Sequence, residues 1–167
     1  MKIIFLDIDG VMNSELWNKD NEMEISKGKF IDSEKVRLLS KIINETKAKI
    51  VLHSGWRFWF DGNIMPLRKE AEYLVEVFKN YDLNIYDKTP DLTTVEIRKS
   101  KKFSLVKAQE ILLWLDQHDN IEKYVILDDL DLSNKEIEMF QIKTDGVRGL
   151  TKENVEEAIK MLNYYDI

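Results

Sequence analysis

A chain of 167 residues is long enough for one domain with one core and short for two. An apolar fraction of 44%, a charged fraction of 34%, 2 prolines and 6 glycines read as a single globular domain over residues 1–167 and exclude a low-complexity linker. The formal charge of −6 argues against a surface that coats nucleic acid, though not against a local basic site, and the absence of cysteine excludes disulfides and thiolate metal sites and fits a cytoplasmic protein.

No apolar stretch nears the roughly 18 residues of a membrane span. The N-terminal run meets its first aspartate after four apolar residues, too soon for a signal peptide. That run, "KIIFLD" (2–7), has the length and continuous apolar character of a strand buried on both faces. Residues 11–31 lack periodicity and read as a loop or flap. In "DSEKVRLLSKIINET" (32–46), Val36, Leu39, Ile42 and Ile43 form one helical stripe, with Asp32 or Ser33 as N-cap. "AKIVLHS" (48–54) is a second buried strand. "PLRKEAEYLVEVFKNY" (66–81) predicts a helix opening at Pro66, with Leu67, Ala71, Leu74, Val75 and Phe78 inward. "LNIYDKT" (83–89) is a weaker strand, and 90–103 a second aperiodic loop. "SLVKAQEILLWLDQH" (104–118) predicts a helix with Leu105, Ala108, Ile111, Leu112 and Leu115 inward. "KYVILDD" (123–129) and "FQIKTD" (140–145) are strands, and "TKENVEEAIKMLNYY" (151–165) is a capped terminal helix. Alternating strands and helices predict an α/β fold, a Rossmann-like three-layer α/β/α sandwich around a mostly parallel sheet.

In such a sheet, ligands bind beyond the carboxyl ends of the strands. Asp7 and Asp9 stand past the first strand, Ser54 past the second, and Asp128 and Asp129 past "YVIL". Four carboxylates and a hydroxyl thus converge on one edge. Neighbouring carboxylates resist joint ionisation, and a divalent cation removes that penalty. Oxygen ligands without cysteine point to a hard ion such as Mg2+. A carboxylate beside such an ion can also act as a nucleophile. Asp131 is either a further residue of the metal site or the cap of the next turn. His53 reads as structural and His118, at a helix end, as solvated. Trp56 and Trp59 read as core, with a base-stacking role as the alternative.

"FLDIDGV" resembles the DxD signature of the haloacid dehalogenase-like (HAD) phosphohydrolases. Three further signatures follow in order: Ser54 after the second strand, Lys107 near the start of a later helix, and the acidic pair Asp128–Asp129. In finer detail, "SGWR", "EILLWL", "YVILDD" and "TDGVRGLT" resemble the small HAD domain associated with nucleic-acid (RNA) repair proteins. The resemblance implies a phosphatase that works through an aspartyl-phosphate. Asp7 would be the nucleophile and Asp9 the general acid and base. Ser54, Gly55, Arg57 and Lys107 would bind the phosphoryl group. Asp7, Asp9 (through its backbone carbonyl) and Asp128 or Asp129 would hold Mg2+. Lys99, Lys101 and Lys102 lie close to Lys107 and are its rivals for the catalytic position.

About twenty residues separate the first strand from its helix, which allows a flap but no cap domain. A site with minimal or no cap stays open to large substrates such as a polynucleotide end. "EIRKSKKFSLVK" (96–107) concentrates Arg98, Lys99, Lys101, Lys102 and Lys107 beside it, either as a polyanion-binding stretch or as a solvated loop. A phosphatase for nucleotides or sugar phosphates is the alternative, and a non-catalytic phospho-binding module a third reading. The third is disfavoured because a binding module has no need of both Asp7 and Asp9. Oligomeric state and any repair partner are left open.

Overall fold

The computed structural model describes residues 1–164. The first strand, β1 (Lys2–Leu6), is apolar after its first residue and buried on both faces. The flap that follows contains two short helices, α1 (Glu15–Asp20) and α2 (Glu22–Ser26). Next come α3 (Ser33–Thr46), β2 (Lys49–Leu52), a 3-10 turn over Gly55–Trp59 and α4 (Lys69–Lys79). The chain continues through β3 (Ile85–Lys88), α5 (Val95–Ser100), α6 (Phe103–Asp116) and β4 (Lys123–Asp128). It ends with β5 (Gln141–Lys143) and α7 (Lys152–Asn163). The expected helix end at Tyr165 lies outside the described residues.

The five strands form one parallel sheet of order β3-β2-β1-β4-β5. Successive side chains of a strand point to opposite faces. Ile4, Leu6, Ile50 and Leu127 accordingly pack against Val36, Leu39, Leu74 and Leu162 on one face. Ile3, Phe5, Val51 and Ile126 pack against Ala108, Ile111 and Trp114 of α6 on the other. Trp114 meets Phe5 edge-on at 5.4 Å between ring centroids, a favoured aromatic geometry. This is the α/β arrangement with helices on both faces that the sequence predicts. No helix among the described residues is long and apolar enough to cross a membrane.

The register positions the functional edge. Leu6 pairs with both Leu52 and Leu127, so β1, β2 and β4 end level. The ladder runs one residue further through Asp7 N–H to the Leu127 carbonyl (2.9 Å) and His53 N–H to the Leu6 carbonyl (2.7 Å). The strand order reverses beside β1, because the chain builds β2 and β3 on one side and then crosses to β4 on the other. Ligands bind at such a switch point in open α/β sheets.

Several local expectations need correction. Residues 11–31 and 90–103 are not purely loop, since they contain α1, α2 and α5. Helices of five or six residues are too short to display a 3.6-residue period, and their signals are the caps at Ser14 and Thr94. Asp32, rather than Ser33, caps α3. The helix expected from Pro66 starts at Lys69, because Pro66 pairs with Phe60 in an antiparallel bridge and leaves Leu67 exposed. Leu105 is also exposed, at 55%, since the first turn of α6 stands at the mouth of a cavity and covers no sheet. His118 is half-buried and stacks on Trp114 with 3.7 Å between centroids.

Candidate active site

A cavity of about 830 Å3, open to solvent, lies over the carboxyl ends of β1, β2 and β4. Asp7, Asp9, Ser54, Gly55, Arg57, Lys107 and Asp129 all line it. Asp128 stands behind them, fully buried.

Asp7, Asp128 and Asp129 each offer a carboxylate oxygen, and these oxygens lie within 4.8 Å of one another. Lys107 reaches them from the first turns of α6. Its Nζ donates to Asp128 Oδ2 at 2.7 Å and lies 3.5 Å from Asp7 Oδ2. Of the four lysines between 99 and 107, Lys107 alone is drawn into the acidic cluster, while Lys99, Lys101 and Lys102 are exposed. Burial, and then the charge of Asp128, push the Asp7 carboxyl well above its ordinary value. Burial and Asp128 raise Asp129 in the same way. For Lys107, burial works against the charged form, but Asp7 and Asp128 outweigh it and hold the ammonium above its usual value. One ammonium facing three carboxylates leaves a surplus of negative charge. Three hard oxygen donors with that surplus suit a divalent cation such as Mg2+.

Asp9 is held apart from this cluster. Asn13 Nδ2 donates to Asp9 Oδ1 (2.9 Å) and Trp56 Nε1 donates to Asp9 Oδ2 (3.3 Å). One donor on each oxygen fixes the plane of a carboxylate that is otherwise exposed at the cavity. The Asp9 side chain therefore stays outside the metal cluster, and only its backbone carbonyl is left for the ligand role the resemblance implies.

Ser54 caps the turn that follows it and also faces the cavity. Its Oγ accepts from Trp56 N–H at 3.2 Å. The hydroxyl hydrogen remains available to a ligand. A Cβ at Gly55 would meet nothing within 4 Å, so the space beside it is open. Arg57 is buried. Its guanidinium donates to Glu110 Oε2 at 2.6 Å and to the Ser54 carbonyl at 2.9 Å. Glu110 sits one turn after Lys107 and also accepts from Leu92 N–H at 2.9 Å. The serine loop, the segment at Leu92 and the lysine helix are thereby tied together.

Asp131 Oδ1 accepts from Ser133 N–H and caps the turn there, the second of its two expected roles. His53 is fully buried against Thr89 Oγ1 at 3.2 Å, and burial, reinforced by Lys107 and Arg57, lowers it well below its ordinary value. Trp56 is core, packed against Phe30 and Trp59, and Arg68 covers the Trp59 ring.

Some participants carry no signal readable from sequence. Asn13 bridges Asp9 to Gly10 N–H and the Phe30 carbonyl. Gly10 and Gly146 leave room for Asp129, since a Cβ on either would collide with its carboxylate, and Gly10 also takes a positive φ of 82°. Thr144 Oγ1 donates to the Gly10 carbonyl at 2.9 Å. The glycine of "DIDGV" is plain in the sequence and Asn13 lies only three and four residues from its partners, but Thr144 and Gly146 come to the site only in three dimensions.

Residues 3–155 match the family model described as the HAD domain in Swiss Army Knife RNA repair proteins. No curated protein and no solved structure matches the chain. A match over most of the chain, an all-parallel sheet of order β3-β2-β1-β4-β5 and an acidic cluster at its switch point agree: the chain belongs to the HAD domain family of Swiss Army Knife RNA repair proteins.

Proposed function

We propose that this domain is a Mg2+-dependent phosphatase acting on phosphate monoesters at polynucleotide ends. Its strongest support is that Asp7, Asp9, Ser54 and Lys107 line one cavity, with the carboxylates of Asp7, Asp128 and Asp129 gathered at its floor. In this reading Asp7 attacks phosphorus in line. The bond from phosphorus to the leaving oxygen breaks, and Asp9 gives that oxygen a proton. Water then attacks the aspartyl-phosphate while Asp9 takes back a proton, and inorganic phosphate leaves. The Ser54 hydroxyl and the Lys107 ammonium bind phosphoryl oxygens where charge is spread in the transition state. Asp7, the Asp9 carbonyl, and Asp128 or Asp129 would hold the ion, whose positive charge offsets that of the phosphoryl oxygens.

The polynucleotide end is supported by the family context and by the open cavity, whose flanking insertions contain helices of only five and six residues. Arg98, Lys99, Lys101 and Lys102 are exposed beside it, Arg98 only loosely paired with Asp91 at 3.8 Å. A panel of end-phosphorylated oligonucleotides, mononucleotides and an aryl phosphate tests the reading. Hydrolysis is expected in Mg2+, loss is expected in excess chelator, and oligonucleotide ends should have the highest kcat/KM. Full activity in chelator would sink the mechanism, and a preference for mononucleotides would move the substrate to small metabolites.

The basic segment gives a separate expectation. Reversing two of Arg98, Lys99, Lys101 and Lys102 to Glu should raise KM for oligonucleotides and flatten its salt dependence. Each phosphate that is no longer neutralised takes about 0.7 off the log–log slope on single strands. Indifference of KM to both salt and charge reversal would mark 98–102 as a solvated loop.

A further inference from the structure

Two phenylalanines stand in the wall of the catalytic cavity with much of their surface free. Phe58 lies in the 3-10 turn after Ser54 and is 49% exposed. Phe103 opens α6, one turn ahead of Lys107, and is 39% exposed. Neither reacts with a phosphoryl group, and neither is needed by the core clusters. The Phe58 ring has a built backing: the buried Arg57 guanidinium lies over it at 4.4 Å from the centroid, held by Glu110 and the Ser54 carbonyl. One face of that ring is thus fixed from inside while the residue remains open to the cavity.

We infer that Phe58 and Phe103 form a stacking platform for the terminal nucleobase of a single-stranded end whose phosphate sits at Asp7. The inference rests on the phosphatase reading above and names how that site holds its substrate. Three observations support it. The cavity, about 830 Å3, falls in the range of roughly 300–1,000 Å3 typical of sites that enclose a ligand of nucleotide size, far more than a phosphate requires. Aromatic faces accept any base, and an arginine behind a ring stiffens it in place. The charge near the platform is complementary to a strand: Arg98 lines the cavity as Phe103 does, and Lys99, Lys101 and Lys102, close to both in the chain, are exposed. Glu15, from the flap, also lines the cavity, and its carboxylate disfavours a phosphate backbone beside it. The strand therefore leaves over residues 98–102 with its last base against the phenylalanines. Trp56 and Trp59, the aromatic residues that the sequence offers for stacking, are packed away and leave that role to these two rings.

The test compares two oligonucleotides that carry the same terminal phosphate, one with a normal last nucleotide and one with that nucleotide abasic. Wild-type kcat/KM should favour the intact end by about 5- to 140-fold, the span of one stacked base by alanine substitution. Phe58→Ala and Phe103→Ala should each shrink this ratio, and Phe58→Trp should keep it. The same ratio is read in binding by fluorescence anisotropy with Asp7→Asn protein, which needs no turnover. Absent hydrolysis with a retained binding preference would overturn the phosphatase reading and leave the platform standing. A wild-type ratio near one overturns the platform, as does a ratio that both alanine variants leave unchanged. Binding of neither oligonucleotide overturns both.

Discussion

Asp7→Asn should abolish turnover on every phosphate monoester, a fall on the order of 10⁴–10⁶-fold as for removal of a covalent nucleophile. The amide retains the shape of the side chain and loses the lone-pair charge that attacks phosphorus. The fold should gain rather than lose. Asp7 is buried beside Asp128, and both burial and that neighbouring charge disfavour its ionised form. A neutral amide relieves the crowding, so the melting temperature without Mg2+ should stay level or rise. Lost activity in a protein that melts no earlier separates a nucleophile from a structural aspartate. Asp9→Asn should behave differently. Asp9 lies outside the carboxylate cluster, held by Asn13 and Trp56, and its task is proton transfer. A loss of about 10²–10⁴-fold is expected on alkyl phosphates, with a smaller loss on nitrophenyl phosphate, whose leaving group needs no proton. Near-wild-type turnover by Asp7→Asn would overturn the nucleophile assignment.

The parts of this molecule readable from sequence are those where one local pattern has one physical cause. Runs such as "KIIFL" and "KIVL" are apolar after their first lysine because both faces of β1 and β2 are covered, and the level ends of the strands then place Asp7, Ser54 and Asp128 together. Periodicity fails where an element is short or where an interior position is polar. Glu110 occupies a fully buried position on α6 because Arg57 and Leu92 N–H meet it, and a charged residue in the inward stripe obscures which face is buried. The buried Trp114, one turn after Glu110, follows from that shifted face. Asn13, Thr144 and Gly146 act on Asp9, Gly10 and Asp129 across the sheet edge. The Asn13 contacts are local, three and four residues apart, whereas no spacing in the chain encodes the contact of Thr144 with Gly10, which depends on how the segment after β5 meets the flap. There, Glu15 N–H donates to the Gly146 carbonyl and Leu150 N–H to the Val11 carbonyl.

Lys107→Ala is expected to cost catalysis about 10²–10³-fold, the usual loss when one preorganised positive donor is removed from a developing oxyanion. Lys101→Ala and Lys102→Ala should cost little on a small aryl phosphate, because both side chains are exposed and stand clear of the carboxylates. The Lys107 variant also changes the balance of the buried cluster. Its ammonium is the countercharge that Asp128 and Asp7 share, at 2.7 and 3.5 Å, with Asp128 fully buried. Breaking such a pair from one side costs about 3–5 kcal/mol when the remaining charge stays buried. The melting temperature without metal should therefore fall. Added Mg2+ should then stabilise Lys107→Ala more than it stabilises the wild type, because a cation at Asp7, Asp128 and Asp129 restores the missing charge as well as binding its ligands. Thermal melts with and without Mg2+, read beside steady-state rates, test both halves. Equal and mild losses in all three lysine variants would place the phosphoryl-binding cation elsewhere, with Arg57 and Lys99 the next residues to replace. A rate loss in Lys107→Ala with no added response to Mg2+ would leave the lysine as a phosphate ligand and remove its share in balancing the carboxylates.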